Sequence, residues 1–252
     1  MAVLQPVQLF LLRANFFLGI GEWFSPAGTP TLHIGKQRRL ATVTMAKTQS
    51  ELVEVVSPQA DSPAYELMIA SPGDHQFIEA CAFSREQYGR HFSCELNQFY
   101  PTMFCLYKDS TLVACCGFRS AGDEPLFLEQ YLDVSIEESI RLQNDEQLPR
   151  HEIVEIGGLA MANREEGLAF MVRLAPQFQI LGFQYATCTV TSPVRKLLVQ
   201  VGIGSLFLAT ANPNCVSQAD NAWGRYYALE PVVLAGAIQP AIDHMAPFLK
   251  LI

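Results

Sequence analysis

The stretch HEIVEIGGLAMANREEGLA, residues 151–169, joins a strand pattern to a helix pattern through a run of small residues. Ile153-Val154-Glu155-Ile156 is β-branched around a single carboxylate, which predicts a central strand over 152–160. Arg164, Gly167 and Ala169 fit the spacing Arg-x-x-Gly-x-Ala, and Leu168, Met171, Leu174, Ala175, Phe178 and Leu181 recur at helical spacing, with Pro176 predicted to kink the helix. A loop over 161–167 that ends a strand and opens a helix turns backbone N–H groups and the positive end of a helix dipole toward an anion. The spacing by itself is short; an ordinary turn and helix start reads it equally well.

Working outward, Tyr65–Ala70 alternates as a first strand, and Phe77, Ile78, Cys81 and Ala82 predict a helix over 75–90. Residues 101–107 and 112–119 flank the turn Lys108-Asp109-Ser110 and form a hairpin ending at Arg119. Residues 126–133 set Glu129 and Asp133 in an apolar frame, ahead of a helix over 134–147 with Ser135 and Glu138 as a capping box. Residues 183–190 read as a strand parallel to the central one, 193–201 as a second helix, and 206–210 as a short strand. The aromatic run from Trp223 and the segment 232–238 are predicted as further strands, with a terminal helix or tail over 240–252. An antiparallel hairpin followed by strand–helix–strand units is an α/β (α+β) pattern with one mixed sheet and flanking helices.

Half of the 252 residues are hydrophobic and 17% are charged, enough for a sizeable core. Residues 1–44 read as an extension ahead of a second start at Met45; their apolar runs are interrupted by Arg13, are too short to span a bilayer and follow no basic residue. A membrane-active amphipathic segment is the alternative. Residues 45–64, polar with Pro58 and Pro63, suit a linker, and 65–252 a single domain. The net charge is −8, and Met45–Ile252 carries 13 basic against 24 acidic residues. That balance argues against nucleic acid and against electrostatic docking on anionic lipid. Seven cysteines without a Cys-x-x-Cys read as free, mostly buried thiols of a cytoplasmic protein, and the five histidines show no metal-ligand spacing, so no metal is expected.

Gly117-Phe-Arg119, Phe127-Leu-Glu-Gln-Tyr-Leu-Asp133, Glu155-Ile-Gly-Gly-Leu-Ala160, Cys188-Thr-Val-Thr191 and Trp223-Gly-Arg-Tyr-Tyr227 resemble the bacterial thermostable haemolysin family over residues 65–238. The family pattern carries Asn where Gly158 stands. The order of elements is also similar to the N-acyltransferase (GNAT) superfold shared by acetyl-CoA-dependent transferases and acyl-homoserine-lactone synthases. The resemblance implies a GNAT-like sheet with central antiparallel strands and a splayed parallel pair. It implies an acyl-CoA or acyl-carrier-protein thioester as donor, held by Leu159, Arg164, Gly167, Leu168 and Ala169, and a small-molecule amine as acceptor. The family's name implies a different class, a cytolytic protein acting on membranes, and a small-molecule-binding module without catalysis is a third reading.

Glu155 is the candidate general base, because burial would raise its pKa toward the range useful for deprotonating an amine; a salt bridge to Arg119 or Arg150 is the structural alternative. Glu129, a second catalytic candidate, and Asp133 lie four apart and offer paired carboxylates to an amine or to S-adenosylmethionine, unless they answer Arg119 and Arg141. Arg119 would bind a carboxylate or phosphate through its fork. Tyr227 is a candidate for the substrate pocket and, with Tyr226, a substitute for the acid-supplying Tyr that the helix over 193–201 lacks.

Overall fold

The computed structural model describes residues 64–200, 202–216 and 223–249; the extension over 1–44 and the linker over 45–64, Ala64 apart, lie outside them. Thr102–Lys108 (β2) and Thr111–Ser120 (β3) form the hairpin, whose turn uses Asp109 and Ser110 at φ 49° and 66°. Tyr65–Ala70 (β1) pairs antiparallel with β2. Ile153–Met161 (β4) runs antiparallel to β3, and Tyr185–Val190 (β5) parallel to β4. Leu206–Thr210 (β6) and Val232–Ala237 (β7) complete a seven-stranded mixed sheet in the order β1-β2-β3-β4-β5-β7-β6. The helices are His75–Phe92 (α1), Ile136–Asn144 (α2), Arg164–Ile180 (α3), Ser192–Gln200 (α4) and Ile238–Leu249 (α5).

Period-two alternation divides the strands between two faces. Phe104, Leu106, Ala114 and Phe118 meet Phe170, Leu174 and Phe178 of α3, where the rings of Phe104, Phe118 and Phe178 stand 4.9–5.3 Å apart. Met103, Cys105 and Cys115 face Ala80 of α1 instead. Beside α1, Leu126, Leu128, Ile136 and Ile140 close the same face over Ile153, Tyr185 and Val233.

Two irregularities place the site. Gly117 opposes Gly157 while Cys115 opposes Ala160, so β4 carries one extra residue, a bulge at Gly158 and Leu159. Gly158 sits at φ +59°, a region open to Gly. Then the parallel pairing ends: Ile156 opposite Cys188 is the last pair, and β5 continues against β7 alone. The central strands therefore splay at Gly157.

Three local expectations are corrected. The helix begins at Arg164, not after Gly167, because Asn163 caps it by accepting from the Glu166 N–H at 3.0 Å; Leu181 falls beyond its end, 44% exposed. The capping box of Ser135 and Glu138 does not form: Ser135 makes no side-chain cap, Glu138 pairs with Arg141, and Glu129 reaches the Ile136 N–H instead. Trp223 opens a turn and a short 3₁₀ helix, Tyr226–Leu229, in place of a strand; Gly224 at φ +54° lies against the Phe92 carbonyl, which also accepts from the Arg225 N–H at 2.7 Å.

Candidate functional site

Two cavities meet at the splay. One, of about 160 Å³, is lined by Tyr100, Arg119, Phe127, Tyr131, Trp223 and Tyr227 among others. The second, of about 210 Å³, lies between the splayed strands and α3, α4 and α5, and its walls, including Leu159, Leu174, Cys188, Leu198, Leu234 and Met245, are almost wholly apolar. Tyr88, Ile156, Gly157, Gly158, Thr189 and Tyr226 line both. The junction is thus built where β4 has left its partner, so backbone groups of Gly157 and Gly158 border open space instead of a ladder.

Tyr100 lies across the Gly117–Gly157 pair. A Cβ on Gly117 would come within 2.5 Å of the Tyr100 Cβ, and one on Gly157 within 2.1 Å of the Tyr100 hydroxyl. A glycine inside a strand marks such a close approach. The Arg119 guanidinium stands 4.6 Å above the ring, and the hydroxyl donates to the Glu155 carboxylate. Burial first, and then the Glu155 charge, hold Tyr100 well above its ordinary pKa, so it stays a proton donor at neutral pH.

Glu155 is 1% exposed and lines neither cavity. Its oxygens accept from the Phe127 and Leu128 N–H groups at 2.9 and 3.0 Å, and Arg119 Nε lies 3.4 Å away. Burial raises its pKa, and those donors with Arg119 and Tyr100 only partly offset the rise. Phe127, Arg119 and Tyr100 all line the polar cavity and contact the carboxylate, Phe127 through its backbone N–H and Arg119 as an ion pair; Tyr100 links it to the cavity through a side-chain hydroxyl.

The other predicted residues are placed as follows. Glu129 organises the covering segment: it accepts from the Leu126 and Ile136 N–H groups at 2.9 and 3.0 Å and from both ends of the Arg150 fork at 2.6 and 3.0 Å. Burial pushes its carboxyl up, but Arg150 and the two N–H groups outweigh that and hold it below the usual range. Asp133 is exposed and, like Glu129, lines neither cavity. Tyr227 lines the polar cavity, its hydroxyl 2.7 Å from that of Tyr131. Leu159 lines the apolar one, whereas Arg164, Gly167, Leu168 and Ala169 line neither. Ala169 is buried in the core, and a Cβ on Gly167 would meet Met161 Sδ at 2.3 Å. Glu166 turns inward to Tyr65 and Lys108 at 2.7 and 2.8 Å. The first turn of α3 is thereby packed by Asn163, Met161 and Glu166.

Sequence reasoning missed Tyr100 and Thr189. Tyr100 sits in the connection between α1 and β2, without periodicity; the glycines at 117 and 157, each inside a strand pattern, were the available signal. Cys188, although central, has its thiol pushed up to about 12 by burial and then by the Glu155 charge, which leaves it unionised at neutral pH. Among the described residues no group of three or more His, Cys, Asp or Glu side chains is placed to hold a metal ion, and no helix is long and apolar enough to cross a membrane.

The family model described as Thermostable hemolysin matches residues 70–242. FeeM, an N-acyl amino acid synthase from uncultured soil microbes, superposes with a TM-score of 0.53 at 11% identity, covering 76% of this chain and 99% of FeeM. BjaI, a CoA-dependent acyl-homoserine lactone synthase solved with SAM and isopentyl-CoA, gives 0.51 at 10% identity over 74% and 90% of the two chains. No curated protein sequence matches. At these identities the likeness is one of fold: the GNAT-like mixed sheet.

Proposed function

The chain belongs to the thermostable haemolysin family, and we propose that this member is an N-acyltransferase that moves an acyl group from a phosphopantetheine thioester, of coenzyme A or of acyl carrier protein, to a small amine. The observation that carries this reading is the junction of an apolar and a polar cavity at the point where β4 and β5 part. The apolar cavity takes the acyl chain. The unpaired edge of β4 after Ile156 offers strand-like hydrogen bonds to the amides of the donor's arm. The amine enters from the side of Tyr100 and Arg119.

In the transfer the amine nitrogen bonds to the thioester carbonyl carbon and the C–S bond breaks. The proton lost by nitrogen goes to Tyr100 Oη as the Tyr100 proton moves to Glu155, and it returns by the same path to the departing thiolate. Glu155 is the base in this scheme, at one remove, and its raised pKa suits it to hold that proton. Glu129 and Arg150 act by position, fixing the segment that supplies the Phe127 and Leu128 N–H groups.

The test is incubation of the full chain with CoA and carrier-protein thioesters of medium and long chains and a mixture of amines. Mass spectrometry should find an amide and an equal amount of free thiol. No amide from any donor, with red-cell lysis by the full chain undiminished in Glu155→Gln, would favour the cytolytic reading instead.

A further inference from the structure

Resting on that reading, we propose that the acceptor is an amine bearing a carboxylate, an α-amino acid with an apolar side chain, and that Arg119 is its specificity determinant. Arg119 and Glu95 are the charged residues lining the polar cavity, and Glu95 is exposed. Arg119 Nε is buried without a hydrogen-bond partner. Its 3.4 Å contact with Glu155 is an ion pair, and that carboxylate is already taken by two backbone N–H groups and Tyr100. The remaining pair, Nη1 to Glu124 at 3.3 Å, involves a carboxylate that is 45% exposed and can swing into solvent. The Arg119 side chain is 19% exposed and lines the cavity, so its guanidinium can donate to an acceptor from outside the chain.

Two acids beside Arg119 leave little surplus positive charge, which suits a monovalent carboxylate better than a phosphate dianion. The Tyr100 ring under the guanidinium sets the reach. An amine one carbon away from a carboxylate docked on Arg119 remains beside the Tyr100 edge, on the way to the splay. Phe127, Tyr131, Trp223 and Tyr227 would then surround an apolar side chain. Thr189 carries a second buried atom without a partner, Oγ1, on a residue lining both cavities. A hydroxyl there matches the polar amide formed between the two chambers.

The experiment compares leucine with 3-methylbutylamine, and phenylalanine with phenethylamine, as acceptors for the full chain with one thioester donor. Each pair differs only in the carboxylate. The wild type should prefer each amino acid at least tenfold in kcat/KM. In Arg119→Gln the ratio should fall toward one through a rise in KM for the amino acid, and Arg119→Lys, which keeps the charge without the fork, should fall between. Transfer with equal or greater efficiency to the decarboxylated amines overturns the assignment and leaves acyl transfer standing. Transfer to neither member of either pair while other amines are acylated overturns the assignment alone, and no amide from any amine with any donor overturns both. Should Arg119→Gln not fold, the wild-type ratio decides alone.

Discussion

The hydroxyl of Tyr100 occupies the space that a side chain at Gly157 would need: a Cβ there would lie 2.1 Å from it. Gly117, opposite Gly157, is as tightly covered, but by the Cβ of Tyr100, close to the backbone and unable to turn aside. The two alanine substitutions should therefore differ. Gly117→Ala should cost about 1–3 kcal/mol by urea unfolding, and Gly157→Ala less. Gly157→Ala should nonetheless lose most amide formation, because it moves the hydroxyl off Glu155. Equal stability losses with activity retained in Gly157→Ala would contradict the arrangement.

Tyr100→Phe removes the side-chain hydroxyl that links Glu155 to the polar cavity and keeps the ring under Arg119. The fold should persist by circular dichroism, while kcat drops by about 10²–10⁴. In the wild type kcat should rise with pH through the raised pKa of Glu155, since the base must be ionised. Tyr100→Phe should flatten that limb, which a merely structural role would leave in place.

Stability should move the other way with pH at Glu155. A carboxyl whose pKa is raised in the folded state contributes fully below its unfolded value and loses that contribution as pH rises through the folded one. Glu155→Gln should remove this downward slope in urea unfolding measured from weakly acidic to neutral pH. A slope unchanged in the variant would show that the group does not titrate there.

Glu129 has the opposite sign. Its pKa is held below the usual range by Arg150 and the N–H groups of Ile136 and Leu126, despite burial. Its contribution is present at neutral pH and lost as pH falls through the lowered value. Glu129→Ala should cost about 2–4 kcal/mol at neutral pH, and the difference from wild type should narrow in acid. Loss of the Phe127 and Leu128 anchor should lower kcat with it.

Ala241 of α5 lines the apolar cavity. Ala241→Phe should shorten the preferred acyl chain, read as a shift in the amides formed from a mixture of donors, with little change in the amine chosen. An unchanged chain-length profile would place the acyl group elsewhere.

The residues by themselves determined most strands and two of their pairings: alternation and apolar runs marked β1 to β4, the Lys108-Asp109-Ser110 turn fixed the hairpin, and the short crossover made β5 parallel to β4, whereas the other neighbours in the sheet came only from the structure. These are local patterns, set by side-chain period and turn chemistry within a few residues. They also singled out Glu155, because a carboxylate amid β-branched neighbours stands out. Only the tertiary structure decided what that carboxylate does. Its donors, Phe127 and Leu128, and its link to the cavity, Tyr100, come from segments 27 to 55 positions away, which no periodicity ties to β4. The same holds for residues 164–169, whose spacing suggests an anion cradle: only the structure shows that Asn163 caps the turn, that Met161 packs against Gly167 and that Glu166 turns to Lys108. A spacing specifies which residues share a turn of helix; whether that turn faces a ligand or the protein's own side chains is settled by what the rest of the chain packs against it.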